Sequence, residues 1–93
     1  MHVGILHISL HVPEARSLKE KRQVVKSILD RSRNRFGVAA AEVEDQELHR
    51  KAVLGFASVS GNYTHAKDIL QKVLDALRVH PMARIIDHEL EVL

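Results

Sequence analysis

The residues best suited to chemistry gather at the start of one stretch and along it. Arg16 directly precedes Ser17, and Ser17 stands in S-x-x-E spacing to Glu20. A guanidinium, a hydroxyl and the free amides of a helix start converge there, and together they suit an anion. Further along, Lys19, Arg22, Lys26 and Arg33 fall within roughly 60° of one another when the chain is wound at about 100° per residue. Cations held at that spacing on a rigid helix can neutralise successive phosphates and release counterions. The result is affinity for a nucleic acid without sequence readout. Seven of the chain's 14 Lys and Arg lie between positions 17 and 36, against only Glu20 and Asp30. Exposed helices commonly mix signs in i,i+4 pairs. The imbalance therefore marks Arg16, Ser17, Lys19, Arg22, Lys26 and Arg33 as candidate RNA- or anion-binding residues, against the plainer account of a solvated face charged for solubility.

Other chemistries find less support. There are seven histidines, and His7 and His11 share one face of an alternating segment. Four residues along a strand span about 13 Å, too far for both to ligate one ion, so no metal site is expected. His88 could approach either of them only in a favourable strand register. No cysteine is present, which removes disulfides, thiolate metal sites and cysteine nucleophiles and fits a reducing compartment. No grouping of nucleophile, base and orienting acid stands out, so neither enzyme activity nor a cofactor is expected. Gly55-Phe56-Ala57-Ser58-Val59 loosely echoes the core of an RNA-recognition motif. Ser58 nevertheless replaces a stacking aromatic, Leu54 replaces the basic residue, and the first strand has no aromatic. With aromatics at 3% of the chain, base stacking on a sheet is not expected.

These groups must be positioned by a small scaffold. Ninety-three residues make one domain, 1–93, with a core that buries roughly 60–65% of the unfolded surface. The content is 45% hydrophobic and 28% charged, ordinary for a soluble protein, and the formal charge is +2. Glu42, Glu44, Asp45 and Glu47 cluster mid-chain, and Asp87, Glu89 and Glu91 cluster near the end, so the basic stretch is locally far more positive than the average. No run of 18 apolar residues and no charged-then-apolar leader is seen. The expectation is a cytoplasmic protein without a membrane partner.

The periodicity predicts six elements. His2 to Val12 alternates, with Leu6, Ile8, Leu10 and Val12 on one side and His7, Ser9 and His11 on the other. A helix runs from the Ser17 cap to Phe36, stops at Gly37, and buries Leu18, Val25, Ile28, Leu29 and Phe36, with Lys21 snorkelling from the edge of that face. Val38 to Glu44 reads as a strand, Asp45 to Glu47 as a turn, and Leu48 to Ser60 as a long central strand. Asn62 caps a second helix to about His80, with Ala66, Ile69, Leu70, Val73, Leu74 and Leu77 inward. Arg84 to Val92 is the last strand, with Ile86, His88, Leu90 and Val92 on one side. The order β-α-β-β-α-β, with right-handed crossovers, gives a ferredoxin-like α+β sandwich. It has a four-stranded antiparallel sheet, first and third strands central, and both helices on one face.

Arg16-Ser17-Leu18-Lys19-Glu20-Lys21-Arg22, Asn34-Arg35-Phe36, Ala41-Glu42-Val43 and Gln46-Glu47-Leu48 running into Ala52-Val53-Leu54-Gly55 carry a resemblance over essentially the whole chain. It resembles the YlxP-like family of small bacterial proteins, a domain of unknown function. His49 stands where that family often has tryptophan. The resemblance implies a ferredoxin-like fold and a gene set among translation and ribosome-maturation genes. It implies no catalytic residues. Acylphosphatases place an arginine in the loop equivalent to Arg16, but their glycine-rich loop is missing here, so phosphatase chemistry is not expected. Two readings follow. One is an accessory protein binding RNA or a ribosomal particle through the basic helix. The other is a protein–protein module or homodimer using the open sheet face.

Overall fold

The first helix is delimited by its own sequence. In the computed structural model, which describes residues 1–93, helix α1 runs Leu18–Phe36. Ser17 is extended, and its Oγ accepts the Glu20 amide at 3.2 Å. The Glu20 carboxylate reaches back past the cap to the Arg16 amide at 3.0 Å, so the serine half of the expected exchange forms and the return bond lands one residue before the cap. Gly37 closes the helix at φ 66°, a conformation that costs glycine nothing, and its amide donates to the Arg33 carbonyl. Helix α2, Tyr63–Arg78, begins at Asn62, whose side chain accepts the His65 amide at 2.9 Å.

The strands are β1 (His2–His11), β2 (Ala39–Glu44), β3 (Lys51–Ser60) and β4 (Arg84–Val92). They form one antiparallel sheet in the order β2-β3-β1-β4, with β1 and β3 central as expected. Leu6, Ile8 and Leu10 of β1 and Ala52, Leu54 and Phe56 of β3 are buried on one face of the sheet. They form a single core with Val25, Ile28 and Leu29 of α1 and with Leu70, Val73, Leu74 and Leu77 of α2. Each such Val, Leu, Ile or Phe side chain contributes roughly 1.5–3 kcal/mol through burial. Helix α2 comes closest at Gly4: a β-carbon there would lie 2.6 Å from Ser58 Oγ and 3.0 Å from the Ala66 carbonyl. Ser58 Oγ itself donates to that carbonyl at 2.9 Å.

The chain departs from its periodicity in three places. Strand β3 starts at Lys51 rather than Leu48. Asp45 takes φ 58° and its carbonyl accepts the Leu48 amide, which prolongs the turn and leaves Leu48 exposed. In β4, Ser9 pairs with Asp87 but Leu10 pairs with Ile85, so Ile86 is a bulge residue. The extra residue reverses the parity of the strand. Ile85 therefore packs against the core, and Ile86, expected inside, is 57% exposed. Lys21 does not snorkel: it is fully buried.

Candidate functional site

The candidate residues on and before α1 divide into two groups. Arg16, Lys19 and Arg22 are exposed and take part in none of the molecule's ion pairs. Lys26 and Arg33 converge instead on Asp30, at 2.7 and 3.3 Å, and Arg33 also donates to the Ala40 carbonyl of β2. The hydrogen bond from Lys26, together with the charges of Lys26 and Arg33, holds the Asp30 carboxyl below its usual range, against a smaller opposing effect of desolvation. Ser17 Oγ is occupied by the Glu20 amide, and Glu20 takes the Arg16 amide. The Ser17 hydroxyl and the Glu20 carboxylate are thus spent on the cap. Arg16 offers an anion its guanidinium rather than a ready cradle.

Lys21 has a different task. Its ammonium lies 2.8 Å from Glu42 and within 2.9–3.3 Å of the carbonyls of Asp45, Gln46 and Lys51. Four acceptors meet three N–H donors, so one proton is shared. The whole β2–β3 connection is drawn onto the first turns of α1 by a charge expected to snorkel out to solvent from the edge of the apolar face. The signal was available: Lys21 stands in register with Leu18, Val25 and Ile28 on the apolar face.

A second cationic cluster went unrecognised in the sequence. Arg31 and Arg35 lie on the flank of α1 away from Arg22 and Lys26, facing α2. Between the ends of the two helices is a groove of about 250 Å³. Buried Ile28, Val73 and Leu77 contribute to its lining, with Phe36 and Pro81 beside them and Arg31, Arg35 and His80 at its edge. Arg35 stacks over the Phe36 ring at 4.9 Å. Desolvation, and then the Arg31 charge, lower the pKa of His80 from its ordinary 6.5. Its Nδ1 lies 3.0 Å from the Met82 amide, which donates to it, so the neutral ring carries its proton on Nε2. Spacing could not reveal this cluster, because the tertiary fold brings residues 31–36 and 76–81 together.

The sheet face away from the helices is divided lengthwise. On the β2–β3 side, Ala39, Ala41, Val43, Gly55 and Ala57 make a shallow apolar strip that Ile5 extends, and Val59 is 66% exposed. On the other side, Glu91, Glu89 and Asp87 lie opposite Ile5, His7 and Ser9. His7, Ser9 and His11 do face away from the helices. His88 pairs with Ile8 and so has the opposite parity to His7 and His11. No three His, Asp or Glu side chains come together in a way that would hold a metal ion.

The DUF503 family, described as a protein of unknown function, matches residues 3–90, nearly the full length of the β-α-β-β-α-β unit. The chain belongs to this family. An uncharacterized protein of Bacillus subtilis (strain 168), YlxP, is 36% identical over 72 residues, covering 77% of this chain and 78% of the relative. Among solved structures, the acylphosphatase from Bacillus subtilis superposes with a TM-score of 0.59 at 12% identity, covering 100% of this chain and 86% of that one. A de novo designed protein with a ferredoxin fold gives 0.54 at 12% identity, covering 100% and 84%. At that identity the likeness establishes the family's ferredoxin-like fold and nothing about chemistry. No helix of the structure is long and apolar enough to cross a membrane.

Proposed function

We propose that this protein is a non-catalytic, cytoplasmic accessory protein that binds RNA or a ribosomal particle by contacting phosphates with the outer face of α1. One observation carries the reading: charge is partitioned between the two layers. The helices hold ten Lys and Arg against four Asp and Glu, whereas the strands hold two against five. A polyanion is therefore attracted to one side and repelled from the other. Arg16, Lys19 and Arg22, free of internal partners, are the contacts to remove. Changing all three to Gln leaves the core and the Asp30 pairs untouched. RNA affinity should fall, and the slope of log K against log salt should shrink by roughly two to three units. Lys67→Gln with Lys72→Gln on α2 is the control. Equal loss from both sets would reduce the binding to nonspecific attraction by a basic protein, and no loss from either would remove the RNA reading.

The apolar strip over β2 and β3 favours a second reading, a homodimer or protein partner on the open sheet face. Ala41, Val43 and Val59 are exposed there beside an edge strand, and that is the kind of surface a second chain covers.

A further inference from the structure

The groove between the C-terminal ends of α1 and α2 has no part in either reading. The floor of its apolar lining is built from core residues: Val73 is 1% exposed, Ile28 3% and Leu77 4%. Its charged groups are all cationic, and the other polar lining groups are the Ser32 hydroxyl and the His80 ring. Arg31 and Arg35 come from α1 and His80 from the segment after α2, and no carboxylate lines the groove. Behind His80, Arg78, Arg84 and His88 border an adjoining depression, again without an acid. None of these four arginines takes part in an ion pair. Arginines in a last helical turn also offset the helix dipole, a gain of about 0.3–1 kcal/mol each. That accounts for Arg35 and Arg78, but it does not account for Arg31, a turn earlier, or for Arg84 and His88 on a strand.

We infer that this groove is a binding site for a small organic anion, one with a flat apolar body and an oxyanion head such as a carboxylate, phosphate or sulfonate. The body lies among Phe36, Ala76 and Pro81, above a floor of Ile28, Val73 and Leu77, and the head is held at the rim by the guanidiniums of Arg31 and Arg35. Paired guanidiniums match the two oxygens of such a head in a way that lysines do not. The His80 Nε2–H adds a neutral donor. A volume of about 250 Å³ is at the small end for ligand pockets, so the occupant is nearer in size to a substituted benzene ring than to a dinucleotide.

Three probes separate the parts of this proposal. Benzenesulfonate carries both body and charge, benzenesulfonamide the body alone, and inorganic sulfate the charge alone. They are titrated into the full chain while its backbone amide resonances are followed. Benzenesulfonate should perturb residues 31–36 and 76–81, and each of the other two should need at least tenfold higher concentration for the same occupancy. Arg31→Gln combined with Arg35→Gln should weaken benzenesulfonate at least tenfold. Both side chains are exposed, so the fold is expected to survive, with a melting temperature lowered only by the loss of the Arg35 contacts to the helix end and the Phe36 ring. Should the double variant melt early, Arg31→Gln alone together with the three-probe comparison on the unaltered chain still decides the matter. Equal binding of the sulfonamide would show an apolar crevice only. Equal binding of sulfate, or shifts centred on residues 16–26, would show general cation–anion attraction. Either result overturns the site. The RNA test uses different residues, so the failure of one proposal leaves the other standing.

Discussion

At the scale of single residues, Lys21 shows how one charge can be structural. An ammonium with no exposure is tolerated because a carboxylate and three carbonyls surround it. Removing it strands the mostly buried Glu42 and leaves those carbonyls without their donor. Lys21→Met keeps most of the apolar stem and discards the charge, so it should cost about 3–5 kcal/mol in urea unfolding. Adding Glu42→Gln should recover part of that loss, because the uncompensated charge goes with it. A loss under about 1 kcal/mol for the single change would mean that water takes over the ammonium's role. Lys19 and Arg22, one or two positions away, face solvent and have no such duty. Neighbouring cations of one helix thus belong to different parts of the molecule.

At the scale of elements, the caps carry the boundaries. Ser17→Ala removes the acceptor of the Glu20 amide and should cost about 1 kcal/mol, lowering the melting temperature by roughly 4–8 °C for a domain of this size. An unchanged melting temperature would mean that water caps the helix equally well. All six elements were legible in the sequence because their signals are local. Those signals are a serine and a glutamate three apart, a glycine after Phe36, the alternation from Leu6 to Leu10, and the apolar repeat from Ala66 to Leu77. The placement of both helices on one face of the sheet followed from the handedness of the crossovers. What stayed hidden depends on pairing. The bulge at Ile86 appears only when β4 meets β1. The burial of Lys21 depends on where the β2–β3 turn comes to rest. In the candidate site, the stripe of cations was readable by angle, but the capture of Lys26 and Arg33 by Asp30 divides it. The Arg31–Arg35–His80 groove needs two helix ends that lie far apart in sequence.

At the scale of the whole molecule, the two layers offer two kinds of surface. The reading in which the sheet face covers a second copy expects light scattering to give twice the chain mass of 10.5 kDa. Ala41→Glu, which sets a carboxylate in the apolar strip, should then return the mass to one chain, and the melting temperature should lose its dependence on protein concentration while the exposed site leaves the fold itself intact. A single-chain mass at every concentration would remove the homodimer.

Both helices lie on the same side of the sheet, and this decides what a dimer of that kind could do. Two copies joined sheet to sheet turn their helix layers outward in opposite directions. The two basic arrays then point away from each other across the thickness of both sheets, so one short duplex cannot engage both. Two separate strands can, or two distant segments of one folded RNA, and the second contact is made at the raised effective concentration that the first creates. The assembly would act as a clasp between nucleic-acid segments, its grip set by the distance between them rather than by their sequence.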